Sequence, residues 1–280
     1  MGKITCANVL SDMFAMGVTR VDNMLMLLGV STDMTTKELD TVVPIIMRGF
    51  ADTAREVGSS VNGGQTVKNP WMLLGGVATS VVDKSELIPF DNAQVGNVLV
   101  LTKPLGTRIV GNAFQWYDQK MPRWEKIKHV ISTDELKNLY LETGRQMASL
   151  NLKAAKEMHN HGANACTDIT GFGILGHAEN LVSFQKNPVT FSIHTLPLLK
   201  YTKEIAEKCE IDFKLIEGYC AETSGGLLIC LPEDKAKNFC EKMMREDGSD
   251  GAWIIGDVLA GDRKAIISGS PKILTVSPVF

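Results

Sequence analysis

No run of apolar residues in this chain approaches the ~20 needed to cross a membrane, so a membrane-spanning role is not expected. Charge of one sign is also missing. Lys and Arg number 29 against 32 Asp and Glu, a net charge of -3. A broad nucleic-acid surface normally brings a basic excess or stripe, and neither is present. Cysteine is sparse: Cys6, Cys166, Cys209, Cys220, Cys230 and Cys240 stand singly, with no Cys-x-x-Cys. That is not a disulfide scaffold, and it fits free thiols in a reducing, cytoplasmic setting. The histidines include no His-x-x-x-His, which leaves little support for a zinc site. His159-Asn160-His161 falls at an expected helix end and reads as a polar last turn. The first residues lack the shape of a signal peptide, because Asp12 interrupts the first apolar stretch. There is no P-loop, no Gly-x-Ser-x-Gly elbow and no internal repeat.

What is there looks globular. Apolar residues make up 44% and charged ones 22% of 280 residues. At ~150 residues per domain, two domains are expected. Residues 4–16 read as a helix and Met24–Leu28 as a buried strand. Thr35 and Glu38 form a capping box that starts a helix, with apolar positions at Val42, Val43, Ile46, Phe50 and Ala54. Gly58 is a natural stop, and Pro44 is expected to kink or shorten the helix start. Gly63–Thr66 reads as a turn and residues 71–82 as a strand. The irregular stretch Asp83–Gly96 is the expected domain boundary, giving units of 1–90 and 91–280.

The second unit opens with a strand over 98–102. Ser132 and Glu135 form a second capping box, expected to start the longest helix, running to about His159. Short strands are expected at 163–167, 189–193, 227–231, 253–258, 265–268 and 273–276. Helices are expected at 174–184, 201–208 and after Pro232. The pattern is α+β: two domains of mixed or antiparallel sheet with helices on one face. The thirteen methionines lie largely in core-like runs and read as gap-filling core.

Three glycine-rich segments invite chemistry. Gly171, Gly173 and Gly176 make a formal Gly-x-Gly-x-x-Gly after a strand. The acidic residue a dinucleotide fingerprint needs ~20 residues on is missing, and no parallel βαβ pattern follows. Asp168, at the end of that strand, either holds a hard cation such as Mg²⁺ or caps the following helix. The residues alone leave both open. Gly63-Gly64-Gln65-Thr66 would suit a phosphate or ribose clamp, although a hairpin turn is the plainer reading. Glu222–Gly226 reads as a strand-entry turn. Asp12 interrupts an apolar helix. It lies either on the exposed stripe or, with Asp168, in a split magnesium site between the domains.

Five segments, in order, resemble the eukaryotic selenophosphate synthetases of the aminoimidazole ribonucleotide synthetase superfamily. They are Cys6–Gly17 (Cys-Ala-Asn-Val-Leu-Ser-Asp-Met-Phe-Ala-Met-Gly), Gly63–Thr66, Leu101–Gly106 (Leu-Thr-Lys-Pro-Leu-Gly), Thr167–His177 (Thr-Asp-Ile-Thr-Gly-Phe-Gly-Ile-Leu-Gly-His) and Thr223–Leu228 (Thr-Ser-Gly-Gly-Leu-Leu). The resemblance implies synthesis of selenophosphate from selenide, ATP and water, with release of AMP and orthophosphate. It implies magnesium on the ATP phosphates, with Asp12 binding metal and nucleotide and Asp168 binding metal. Gly63, Gly64, Gln65 and Thr66 would bind nucleotide in a turn shared across a homodimer. The fold implied is an N-terminal ATP-binding and dimerisation domain, whose sheet pairs with its mate into a barrel, and a C-terminal α+β domain. The family's reactive cysteine or selenocysteine, catalytic lysine and further metal-binding aspartates have no match here, and Cys6 does not occupy the nucleophile's place. Those catalytic residues are expected upstream of Met1, so no catalytic residue is assigned within the chain. The expectation is therefore a truncated form that folds and dimerises but does not make selenophosphate alone. A non-catalytic paralogue acting as regulatory or dimer partner is the alternative. Another ATP-dependent member of the superfamily fits the Thr167–His177 run poorly, and a Rossmann oxidoreductase is remote.

Overall fold

The computed structural model describes residues 1–244 and 251–277. The chain begins with helix α1 (Gly2–Ala15), strand β1 (Asn23–Ser31), helix α2 (Thr36–Glu56), and strands β2 (Val61–Asn69) and β3 (Leu73–Thr79). These strands form a three-stranded sheet in the order β2-β1-β3, with β1 parallel to β2 and antiparallel to β3. Helices α1 and α2 cover one face, burying Leu10, Phe14, Ile46 and Phe50 against Met24, Met26 and Leu28. The Thr35–Glu38 capping box forms as expected: each side chain takes the other residue's backbone N–H. Pro44 does not shorten α2. It sits inside the helix on an exposed position, where the missing N–H is a surface loss only.

A segment with one short 3-10 turn (Lys84–Glu86) leads to the second sheet. Its elements are β4 (Asn97–Leu101), α3 (Thr107–Asp118), α4 (Pro122–Ile127), α5 (Thr133–Ala148), α6 (Leu152–His161), β5 (Ala165–Asp168), α7 (Gly173–Ser183), β6 (Val189–Leu199), α8 (Thr202–Lys208), β7 (Leu227–Pro232), α9 (Glu233–Met243), β8 (Trp253–Ala260) and β9 (Ala265–Val276). The strand order is β5-β7-β4-β8-β6-β9, antiparallel except for β6 beside β9.

The central strands β4 and β7 of this sheet are buried on both faces. Leu99, Leu101, Leu228 and Cys230 meet a core built by α3, α5, α7 and α8. Val98, Val100, Ile229 and Leu231 meet α6, α9 and α1. Helix α1 therefore packs on both sheets, because Cys6, Leu10 and Phe14 lie in a cluster that continues into β4 and β7.

Several expected elements differ. The helix starting at the Ser132–Glu135 capping box does not run to His159. It stops at Ala148, and α6 begins after a Ser149–Asn151 joint. The longest described helix is α2. Residues 265–268 and 273–276 belong to one strand, β9. Its partner register jumps between Ile193 and Thr195, which leaves Pro271 in the irregular stretch, where no ladder bond is required of it. Gly63–Thr66 is not a turn but the middle of β2.

Candidate magnesium and nucleotide site

Asp168 ends β5, and α1 brings Asp12 towards the same place. Asp168 as a residue is 8% exposed, and no described residue donates a hydrogen bond to its carboxylate. That removes the capping alternative. Phe172 is the N-cap residue of α7 and provides no side-chain bond. Asp12 is exposed at the rim. Partial burial holds its carboxyl above the usual carboxylate range, with the Asp168 charge as the next cause, and His177 opposes both. Two like charges this close are costly unless a cation joins them.

His177 is buried, and burial pushes its imidazole below the usual value. It is thus neutral at pH 7, with Nε2 as acceptor. Thr170 N–H donates to it at 2.9 Å, and Phe172 N–H lies at 3.4 Å. The ring thereby fixes the turn between Asp168 and α7. The first amides of α7 carry no side-chain cap. Gly173 has φ +71°, and a Cβ there would lie 2.5 Å from the Gly218 carbonyl oxygen, so this turn requires glycine.

The turn is laced to a second loop. Glu222 N–H donates to Thr170 O at 2.9 Å, and Ile169 N–H donates to Gly226 O at 2.9 Å. Glu222 itself is buried. It accepts from Gly106 N–H at 2.6 Å, Thr107 N–H at 3.0 Å and the Thr107 hydroxyl, and so caps α3. Burial pushes its carboxyl up to about 7. Lys103, also buried, donates from Nζ to Ser149 O at 2.8 Å and Ser224 O at 2.9 Å.

The structure does not bring Gly63, Gly64, Gln65 and Thr66 to the two aspartates of the same chain. They lie on the outer strand β2, largely exposed, and face an open groove of about 730 Å³ lined also by Met26, Met47, Arg48 and Arg55. Gly64 has a reason in the fold. Its φ is +135°, and a Cβ would lie 1.8 Å from the Met26 carbonyl oxygen. The Gly171–Gly176 pattern precedes α7, but β5 is an edge strand antiparallel to β7, so no dinucleotide βαβ unit exists there.

The catalytic residues expected upstream of Met1 lie outside the described residues. Met1 itself opens α1 as its N-cap residue: it is 67% exposed, and its carbonyl oxygen accepts from Thr5 N–H at 2.9 Å. Its part in the fold is therefore at the helix start, and its thioether is no proton donor or general base for phosphoryl transfer.

Among the described residues no third His, Cys, Asp or Glu joins the two aspartates. Mg²⁺ is commonly held by one or two carboxylates, with waters and phosphate oxygens completing the shell. A donor-free carboxylate beside a second one fits that cation. Glu222, Lys103, Asn151 and His177 carry the local architecture; of these the sequence reading marked only Glu222, as the start of a strand-entry turn, and gave none of them a role. Their spacing gives no signal, although Lys103 and His177 fall inside the quoted segments and Glu222 directly precedes one.

Two family models match the chain: the N-terminal domain of AIR synthase related proteins over residues 1–82, and the C-terminal domain over 94–269. The mouse protein named selenide, water dikinase 2 is 51% identical over 280 residues, covering 99% of this chain and 62% of that protein. The Dictyostelium discoideum selenide, water dikinase is 46% identical, covering 99% of this chain and 78% of that protein. The chain belongs to the selenide, water dikinase family. It spans 62% of the length of the mouse and human relatives. Solved structures of the same fold include thiamine monophosphate kinase from Aquifex aeolicus (TM-score 0.67, 18% identity, 99% of this chain and 83% of that one). E. coli HypE, a hydrogenase maturation protein, is another (TM-score 0.69, 14% identity, 96% of this chain and 76% of that one). At these identities the likeness concerns the fold.

Among the described residues no helix is long and apolar enough to cross a membrane.

Proposed function

We propose that these residues form the magnesium and nucleotide part of an enzyme that makes selenophosphate from selenide, ATP and water, releasing AMP and orthophosphate. The observation that carries this is Asp168, a largely buried carboxylate without a donor, electrostatically coupled to Asp12 on the other sheet's helix. Magnesium bound there would compensate the roughly four negative charges of the triphosphate. Asp12 and Asp168 would hold it from the two sides, and His177 keeps the 170–172 turn in register. The uncapped amides of α7 are then free to meet a phosphate oxygen. Positioning and charge compensation of this kind dominate phosphoryl transfer.

The reading extends to the domains. The unit 1–90 serves nucleotide binding and dimerisation, and 91–280 completes the metal site. Leu27, Leu73, Val77 and Val67 are exposed on the outer face of the first sheet, where the strand register puts them together. A second copy of the chain covers this apolar face. Because β2 packs on β1 and away from the aspartates, Gly63–Thr66 would serve the nucleotide of the partner.

These 280 residues alone are not expected to make selenophosphate. Burial pushes the Cys6 and Cys220 thiols up to about 12 and raises Cys166 and Cys230 as well. None of the four is a thiolate at neutral pH. The same observation supports the second reading, a non-catalytic dimer partner or regulator. Phosphorus NMR of the gene's full-length product with ATP, Mg²⁺ and selenide separates them, with this chain as control. A selenophosphate resonance with AMP from the full-length product, and none from the chain, is the expected result. No selenophosphate from either, in preparations that bind Mg-ATP, favours the non-catalytic reading. Steady selenide-dependent AMP release by the chain would refute its inactivity.

A further inference from the structure

Asp12 lies on helix α1 and Asp168 at the end of strand β5, so something must hold their separation. Asp12 follows Ser11, whose hydroxyl is fully buried on α1. Asp168 precedes Ile169, which is bonded in both directions to the 225–226 loop: Ile169 N–H to Gly226 O at 2.9 Å, and Gly225 N–H to Ile169 O at 3.2 Å. One side chain spans these two neighbours. Asn151 Nδ2 donates to Ser11 Oγ at 3.3 Å and to Gly225 O at 3.0 Å. An amide nitrogen carries two N–H groups, and here they point at the two halves of the site.

Asn151 lies in the joint between α5 and α6 and is 6% exposed. It makes no side-chain cap for α6, although asparagine at that position usually does. Its donors are spent across the seam instead. The joint is itself anchored. Lys103 Nζ holds Ser149 O, two residues before Asn151, and Ser224 O, one residue before Gly225.

We infer that Asn151 is a positioning residue, a strap that sets the reach between Asp12 and Asp168 and thereby the affinity for the divalent cation. The inference rests on the magnesium reading of those two aspartates. Groups that orient ligands without touching the metal typically cost 10–100-fold in affinity when removed. Asn151→Ala is therefore expected to weaken cation binding about 10-fold. Ser11→Ala cuts the same strap at its other end and should have a similar effect. The double variant should be no worse than either single one, because both remove one connection.

The test uses the gene's full-length product, with Mn²⁺ as the probe in the presence of a non-hydrolysable ATP analogue, followed by electron paramagnetic resonance. Affinity and the spectrum of the bound ion are measured for the wild type, Asn151→Ala, Ser11→Ala, the double variant and Asp168→Asn. Cutting the strap lets the two carboxylates separate, so the lines of the bound ion should broaden as its ligand shell becomes less regular. A loss of packing alone would lower the amount of folded protein and leave the spectrum of the bound ion in place. If Asn151→Ala does not fold, Ser11→Ala and Asn151→Ser carry the same comparison. A wild type that binds no Mn²⁺ overturns the magnesium reading, and the strap with it. Loss of binding in Asp168→Asn, with wild-type affinity and spectrum in both strap variants, leaves the magnesium reading standing and overturns the role of Asn151. Additive effects in the double variant also overturn it.

Discussion

Glu222 offers the sharpest physical test of the architecture. Its carboxyl is buried and held at about 7 against an ordinary 4.5, with burial as the cause and three donors at the start of α3 opposing it. A folded-state value above the unfolded one means that the native state keeps the proton longer. Between pH 4.5 and 7 the unfolded chain has released that proton while the folded one retains it. Stability therefore falls as pH rises through this window. At ~1.36 kcal/mol per pH unit, the total from this one group is about 3 kcal/mol. Glu222→Gln is neutral at every pH and lacks this fall. Urea unfolding of wild type and variant at pH 5, 6, 7 and 8 gives the difference in stability at each pH. That difference should shift by about 2.5 kcal/mol in favour of the variant from the acid to the alkaline end, since pH 5 already lies above the unfolded value. A difference that stays constant across the series would refute the buried, proton-retaining carboxyl.

Three further outcomes are expected. Asp168→Asn removes the like charge that helps hold the Asp12 carboxyl above its usual range, so divalent-cation binding should be lost in titration calorimetry and the Asp12 carboxyl should move down, read by NMR titration. Gly64→Ala places a Cβ 1.8 Å from the Met26 carbonyl oxygen at a φ of +135°. It should cost about 3 kcal/mol or more and lower the thermal midpoint by several degrees, read by circular dichroism. Leu27→Lys combined with Val77→Lys charges the outer face of the first sheet and should abolish the proposed pairing with a second copy, read by light scattering; a wild type that is already a monomer, or an unchanged mass in the variant, would overturn that interface.

Local signals in the sequence translated well. Both long-helix capping boxes, Thr35 with Glu38 and Ser132 with Glu135, depend on residues three apart, and both form. Asp12 was legible as a polar break in an apolar helix, and Asp168 as an acid at a strand end. Features with distant causes were not legible. Gly63 and Gly64 read as turn punctuation, whereas Gly64 is demanded by the β1 backbone pressed against it. Residues 265–268 and 273–276 read as two strands, because the extra residues of β9 between Ile267 and Lys272 are bridged only by its pairing with distant β6. The helix from Thr133 looked continuous through Ser149–Asn151, because nothing nearby shows that Asn151 bonds Ser11, 140 residues away. The same holds for Lys103 and Ser224, 121 residues apart. Whether a polar side chain is buried is decided by its partners, and these partners are remote.

The sharing of α1 between the two sheets bears on how far one sheet can swing against the other. Cys6, Leu10 and Phe14 belong to a cluster that also holds Val98, Val100, Ile229 and Phe239. A hinge swinging one sheet away from the other would tear that cluster and expose several large side chains, at ~1.5–3 kcal/mol each. Such a motion is too expensive to serve as a routine hinge. At the lip of the site, Phe172 is 66% exposed and tilts over His177. The two sheets are joined through α1 as one continuous core, and Asp12 and Asp168 are carried on it together.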